Sequence, residues 1–276
     1  MLSSLRRSSA VALFVSFAIL GFPSAGLANN SWNGYHWART ANPFTLKLGS
    51  NVSSIWSPIL NTTSSDWTQS VVLNTTIVPG QANPRNCRPT SGRVEVCDST
   101  YGNTGWLGVA QVWISGSHIT QGTVKLNDTY FNTPRYNTTA WRNLVSCQEV
   151  GHTLGLDHQD TNFDNKNLGT CMDYTSDPTG GDPAYPQNCC LDNEHPNKHD
   201  YDELGIIYQH LDNSTTVGQA VPPAMNQIDL EGPAQWGRLI RQSRGGGGHA
   251  SVYELDFGGG NKVFTFVIGA EPGDRD

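Results

Sequence analysis

The period of the apolar positions changes along the chain, and each change marks an element. Residues 44–48, F-T-L-K-L, alternate and predict a strand. Residues 55–70 place Trp56, Ile59, Leu60 and Trp67 at helical spacing among Asn, Thr and Ser. Residues 71–78 predict a second strand, and 79–92 predict a loop, because Pro79, Gly80, Pro84, Pro89 and Gly92 interrupt any ladder. Apolar runs at 93–97, 106–114 and 119–127 predict three more strands, the middle one either buried or at an edge. Asn137, Thr138 and Thr139 have the chemistry of a helix cap ahead of Trp141, Leu144 and Val145. Residues 200–211, D-Y-D-E-L-G-I-I-Y-Q-H-L, predict an amphipathic helix with an acidic first turn. The stretch 29–43, with Trp32, Tyr35 and Trp37, reads as a lead-in that packs on the domain surface.

Both ends of the chain differ from this middle. Arg6 and Arg7 precede an apolar run at 11–20, and Gly26 and Ala28 fit the small positions before a cleavage site. Residues 1–28 are therefore expected to be a signal peptide, with a mature chain starting near Asn29 and secreted; the run is too short to span a membrane comfortably. Residues 213–235 are polar, contain Pro222 and Pro223, and read as a linker. Residues 236–276 form a small β extension: three alternating runs up to residue 269, separated by glycine-rich turns, predict an antiparallel meander. Its role stays open between binding a substrate, a wall polymer or a partner and covering an edge of the main domain, 29–212.

Charge and cysteine usage narrow the class. A net charge of −7 with no basic cluster argues against nucleic acid and anionic membranes. The six cysteines behind a leader favour disulfides and an extracellular setting. Cys87 with Cys97 is the best single pairing, since the two bracket a turn-rich stretch. Cys147 and Cys171 flank the candidate site, and either is free to pair with Cys189 or Cys190. Seven glycosylation sequons occur, a number that a chain rich in Asn and Thr reaches by chance.

The candidate chemistry lies at 147–174. Gln148 and His152 are four apart, so a helix points both from one face, with Glu149 alongside. Gly155 can take a left-handed backbone and turn the chain so that His158 returns towards them. Three neutral donors and a carboxylate then converge, which is what a catalytic zinc needs.

This stretch, Q-E-V-G-H-T-L-G-L-D-H, with Met172 downstream, resembles the metzincin signature H-E-x-x-H-x-x-G-x-x-H and its Met-turn, in the matrixin-like branch. Gln148 stands where the family has its first histidine. The resemblance implies an α+β or α/β fold, a twisted mixed sheet with an active-site helix and a C-terminal helix. It implies a zinc metalloendopeptidase acting on proteins or peptides as a monomer. Gln148, His152 and His158 would be the metal ligands, Glu149 the general base, Met172 an apolar floor and Tyr174 a group reaching the zinc or the oxyanion. An amide oxygen is a poorer zinc donor than imidazole, so the alternative is a zinc-free pseudopeptidase serving as a secreted binding module.

Other candidates have blander readings. Asp160, Asp164, Asp173, Asp177 and Asp182 offer oxygen ligands for calcium, but at no standard spacing, and a solvated loop is favoured. His195 and His199 are four apart, yet Pro196 between them suggests a loop running into a cap. His36, His118, His210 and His249 are isolated and read as surface or core residues.

Overall fold

The computed structural model describes residues 30–163, 165–180, 191–218, 225, 230–243 and 250–271. Strand β1 is the pair His36–Trp37, followed by β2 at Phe44–Asn51. In β2 the alternation predicted from sequence is the observed burial: Phe44, Leu46 and Leu48 face inward and Thr45 and Lys47 face out. Helix α1, Ser57–Trp67, has a proline in its first turn and buries Ile59, Leu60 and Trp67. It carries the chain over to β3, Leu73–Pro79, which pairs parallel with β2. Strands β4 (Val94–Ser99), β5 (Trp106–Ser115) and β6 (His118–Asn127) follow, with a short helix α2 at Asp128–Phe131.

Helix α3, Thr139–Thr153, starts where Thr138 accepts a hydrogen bond from the Trp141 amide. It is buried along almost its whole length between α1 and the sheet. Trp67 Nε1 donates to the Cys147 carbonyl at 3.1 Å, and Thr63 and Ser146 share a 2.8 Å hydrogen bond across the two helices. Helix α4, Lys198–Ile207, begins at a reciprocal cap between Asn197 and Asp200. It stops at Ile207 rather than continuing to residue 211, because the next residues turn away, Asp212 to bond Arg39.

The C-terminal strands are β7 (Arg238–Gln242), β8 (Ala250–Gly258) and β9 (Asn261–Gly269). They belong to the same sheet as the rest, in the order β3-β2-β4-β6-β5-β9-β8-β7, with β1 beside β6. The β1 to β4 and β6 side is parallel, and β5, β9, β8 and β7 are joined antiparallel. The split follows from the connections: β5 and β6 are joined by the tight Gly116–Ser117 turn, with Gly116 at φ +64°, whereas parallel neighbours need long crossovers. The architecture is α+β. Strand β9 runs along the whole of β5, from Trp106 opposite Gly269 to Ser115 opposite Asn261. Val252, Phe264, Phe266 and Ile268 join the main core, while Trp106, Val109, Trp113, Trp236 and Val263 form a smaller one on the opposite face.

Three expectations change. The lead-in is not a surface strap: Trp37 is fully buried, its Nε1 donates to the Thr153 carbonyl at 2.8 Å, and Trp32 packs on Phe264 and Phe266. Large aromatic rings bury more area than the surface can hide, so they are drawn into the seam between α3 and β9. Cys147 pairs with Cys171, not with Cys189 or Cys190, because α3 runs directly past the Met172 loop; their Cα atoms are 5.9 Å apart. The region 213–235 is not purely a linker, since its Met225 and Leu230 join Trp236 in the second core. Cys87 and Cys97 are disulfide-bonded. Residues 1–28, Asn29, Asp164, Asp182, Cys189, Cys190, Pro222, Pro223 and His249 lie outside the described residues. Among the described residues no helix is long and apolar enough to cross a membrane.

Candidate metal centre

Helix α3 supplies Gln148, Glu149 and His152 from its last two turns. The helix then ends, and Gly155 takes φ +101°. A Cβ there would lie 2.4 Å from the Tyr35 carbonyl oxygen, so the turn requires glycine on both conformational and steric grounds. This turn returns His158 to the helix, where its ring sits 4.7 Å from that of His152, edge to face. The loop carrying Met172 closes the other side. Gln148 Nε2 donates to the carbonyls of Cys171 (2.8 Å) and Asp173 (3.0 Å). The Tyr174 ring lies 3.9 Å from the His158 ring. Met172 is fully buried against Gly151: a Cβ at that glycine would come within 2.6 Å of its Sδ.

The protonation pattern follows from burial. His152 Nδ1 lies 2.9 Å from the Leu156 carbonyl, which can only accept, so this nitrogen carries the hydrogen and Nε2 keeps a lone pair. Burial, helped by His158, pushes His152 down to about 3, so the ring is neutral. His158 is lowered too, chiefly by burial, although the adjacent Asp157 opposes this. Asp157 would be raised by its burial, but His158 and Arg241 hold it below the usual carboxylate range. Glu149 is fully buried and its carboxyl is raised well above the ordinary value by desolvation. The backbones of Ala110 and Ile268 lie against it and pull the other way, yet neither carboxylate oxygen completes a full hydrogen bond. The Tyr174 hydroxyl and His158 Nδ1 are also buried without a hydrogen-bond partner.

The residues present therefore suit a borderline divalent cation. They offer two imidazoles, His152 with its tautomer fixed by the Leu156 carbonyl, an amide whose N–H groups are occupied and whose oxygen remains, and a carboxylate with no cation beside it. The cleft that Gln148, His158 and Tyr174 line has room for about one water molecule.

The sequence did not foresee what covers this centre. Phe266 of β9 stacks on His152, with ring centres 4.2 Å apart and planes 12° from parallel. Arg241 of β7 pairs with Asp157 at 2.5 Å. Ala250, Ile268 and Gly269 line the cleft. The one local signal was the alternation of Phe264, Phe266 and Ile268, which marks an inward face without naming its neighbour.

The other candidates do not converge. Asp160 bonds Asn162 and Asn165, Asp177 bonds Asn167, and Asp173 accepts from the Leu168 amide, so no group of three acids meets at one point among the described residues. His195 Nδ1 pairs with Asp66 at 2.7 Å, while His199 lies in the first turn of α4, and the two share no ligand cluster.

No family model matches this chain, and no curated protein matches its sequence. Among solved structures it is similar to high choriolytic enzyme 1, a hatching-enzyme zinc-protease from Oryzias latipes, the medaka fish. The identity is 12% and the TM-score 0.34, over 63% of this chain and 94% of that one, a likeness too slight to carry an argument.

Proposed function

We propose that this chain is a secreted zinc-dependent endopeptidase of metzincin type, with Gln148, His152 and His158 holding the metal and Glu149 moving the proton. One observation carries the reading: the rings of His152 and His158 lie 4.7 Å apart, Gln148 lines the cleft with His158, and the neighbouring Glu149 is a buried carboxyl that completes no hydrogen bond. An uncompensated buried carboxylate is costly, and a divalent cation next to it removes that cost. Zinc held there supplies Lewis acidity towards a water and a peptide carbonyl. Glu149 accepts the proton of the attacking water on a carboxylate oxygen and returns it to the leaving amine. Its raised affinity for protons, a result of burial, suits a base that must both take and give. The unpartnered Tyr174 hydroxyl is a donor in reserve for the oxygen that gains charge. Met172 packs under the helix turn and fixes its height. Secretion is supported by the leader-like residues 1–28 and the two disulfides.

Strand β9 occupies the free edge of β5 beside Glu149, where an extended peptide would otherwise pair. In this reading the described state is latent, and β9 must leave before substrate enters. The same cover favours a second reading, a secreted binding module without zinc. Zinc content at the Gln148 centre separates the two. The metallopeptidase requires metal that is lost in His152→Ala, and cleavage of an unfolded protein that is lost in Glu149→Ala once β9 is loosened. Metal retained at this centre only after Gln148→His would select the binding module. Cleavage undiminished by Glu149→Ala would overturn the mechanism.

A further inference from the structure

Beyond the C-terminal end of α3, three histidines that are isolated in sequence turn towards one carboxylate. Asp212 Oδ1 lies 3.2 Å from His118 Nε2, 3.5 Å from His36 Nε2 and 3.7 Å from His210 Nε2. His36 and His118 are brought together because β1 and β6 pair with these two residues in register. His210 and Asp212 arrive from the chain leaving α4, and the His36 ring stands edge-on to both other imidazoles, at 5.0 Å and 4.7 Å.

We propose that His36, His118, His210 and Asp212 form a structural site for a zinc-like divalent cation. The spacing is the first argument. Bonds of about 2.0–2.1 Å in a tetrahedral zinc site put neighbouring donors about 3.3 Å apart. The three separations scatter around that value, and two of them exceed a good N–H···O hydrogen bond. One donor atom from each of His36, His118 and Asp212 falls within 4.8 Å of the others; His210, 3.7 Å from Asp212, stays outside that group and rotates in as the fourth donor.

The outer contacts are the second argument. His36 Nδ1 lies 2.8 Å from the Gly34 carbonyl, which fixes its hydrogen there and leaves the Nε2 lone pair facing Asp212. A lone pair facing a carboxylate oxygen is repulsive unless a proton or a cation lies between them. Asp212 Oδ2 is taken by Arg39, through Nη1 at 2.8 Å and the backbone amide at 3.2 Å, so Oδ1 is the oxygen left for the histidines. Such ordering of both inner ligands by neighbours is what metal sites require.

The donor set decides the class of ion. Three imidazoles and one carboxylate suit zinc, and also copper(II) or nickel(II), far better than calcium or magnesium. With His210 rotated in, four protein donors leave no open position, so the role is structural. The ion would tie the strand β1 to the exit of α4. Entry is open, since the His118 and His210 side chains are 31% and 54% exposed.

The test is native mass spectrometry of the full chain titrated with Zn²⁺, with thermal melting in parallel. The His152→Ala/His158→Ala variant should still bind one zinc and gain thermal stability from it. Adding His118→Ala and His210→Ala to that variant should abolish both. Failure of the α3 centre to bind metal would leave these outcomes unchanged, so the two proposals stand or fall apart. Because four substitutions can disturb folding, imidazole ¹⁵N shifts are followed in the parent as zinc is added. Movement of His36, His118 and His210 together supports the site. Shifts that stay fixed, or a stoichiometry indifferent to His118 and His210, overturn it.

Discussion

Replacing Phe266 by alanine tests whether β7, β8 and β9 are a cover or a fixed part of the fold. The ring is fully buried, stacked on His152 at 4.2 Å and packed against Trp32 at 5.3 Å. Deleting such a ring costs about 3–5 kcal/mol, of which the aromatic contacts account for about 0.5–1.5 kcal/mol each. If the cost falls on the docking of β9 against β5, the undocked population rises roughly 10²–10⁴-fold, at about 1.4 kcal/mol per tenfold. Native-state hydrogen exchange reads this directly. Amides of β5 that bond to β9 should exchange faster by that factor, whereas amides of β2 and β4, on the far side of the sheet, should change much less. Cleavage of an unfolded protein by zinc-loaded Phe266→Ala should rise in step and vanish when Glu149→Ala is added. A uniform acceleration across β2, β4, β5 and β6, with no Glu149-dependent cleavage, would refute the reasoning. The meander would then be one cooperative unit with the rest, and its strands could not leave alone.

Further outcomes follow from the same contacts. Gly151→Ala should destabilise the chain by about 1–3 kcal/mol in urea unfolding, because its Cβ would meet Met172 Sδ at 2.6 Å and the Trp67 ring at 2.8 Å. Trimming Met172 to alanine in that variant should recover part of the loss as a non-additive term. Cys147→Ser with Cys171→Ser removes a cross-link spanning 24 residues and should cost about 3–4 kcal/mol by chain entropy, again in urea unfolding. Asp98 is raised to about 6 by burial and by the neighbouring Asp128 carboxyl. An acid whose folded value lies above its unfolded value takes up a proton on folding, so its contribution is most favourable below about pH 4 and declines until about pH 6. Melting curves between those limits should fall less steeply with pH in Asp98→Asn than in the parent.

The placement of Gln148, Glu149, His152 and His158 was readable because its geometry is local. Gln148, Glu149 and His152 lie within two helical turns, and the period of a helix fixes their faces before any packing occurs. The return of His158 needed only the turn at Gly155, whose φ of +101° a glycine accepts without strain. The alternation in β2 and the apolar runs of β5, β6 and β9 were equally legible, since burial repeats every second residue whatever the partner strand.

Partnership between distant segments was not legible in the same way. Nothing in the run V-F-T-F-V-I states that β9 lies on β5 rather than at the edge of a separate sheet, or that Phe266 covers His152. A strand's pattern names its buried face but not the neighbour that buries it. The choice of Cys171 for Cys147 and the meeting of His36, His118, His210 and Asp212 are of the same kind. His36 and Asp212 are separated by 176 residues, and only the parallel pairing of β1 with β6 and the exit of α4 bring them within 3.5 Å. The sequence by itself determined the local chemistry of α3 and the inward faces of the strands, because helix and strand periods act within a few residues. The tertiary structure alone decided what covers that chemistry and which distant side chains meet, because sheet order and core burial are settled by the whole chain at once.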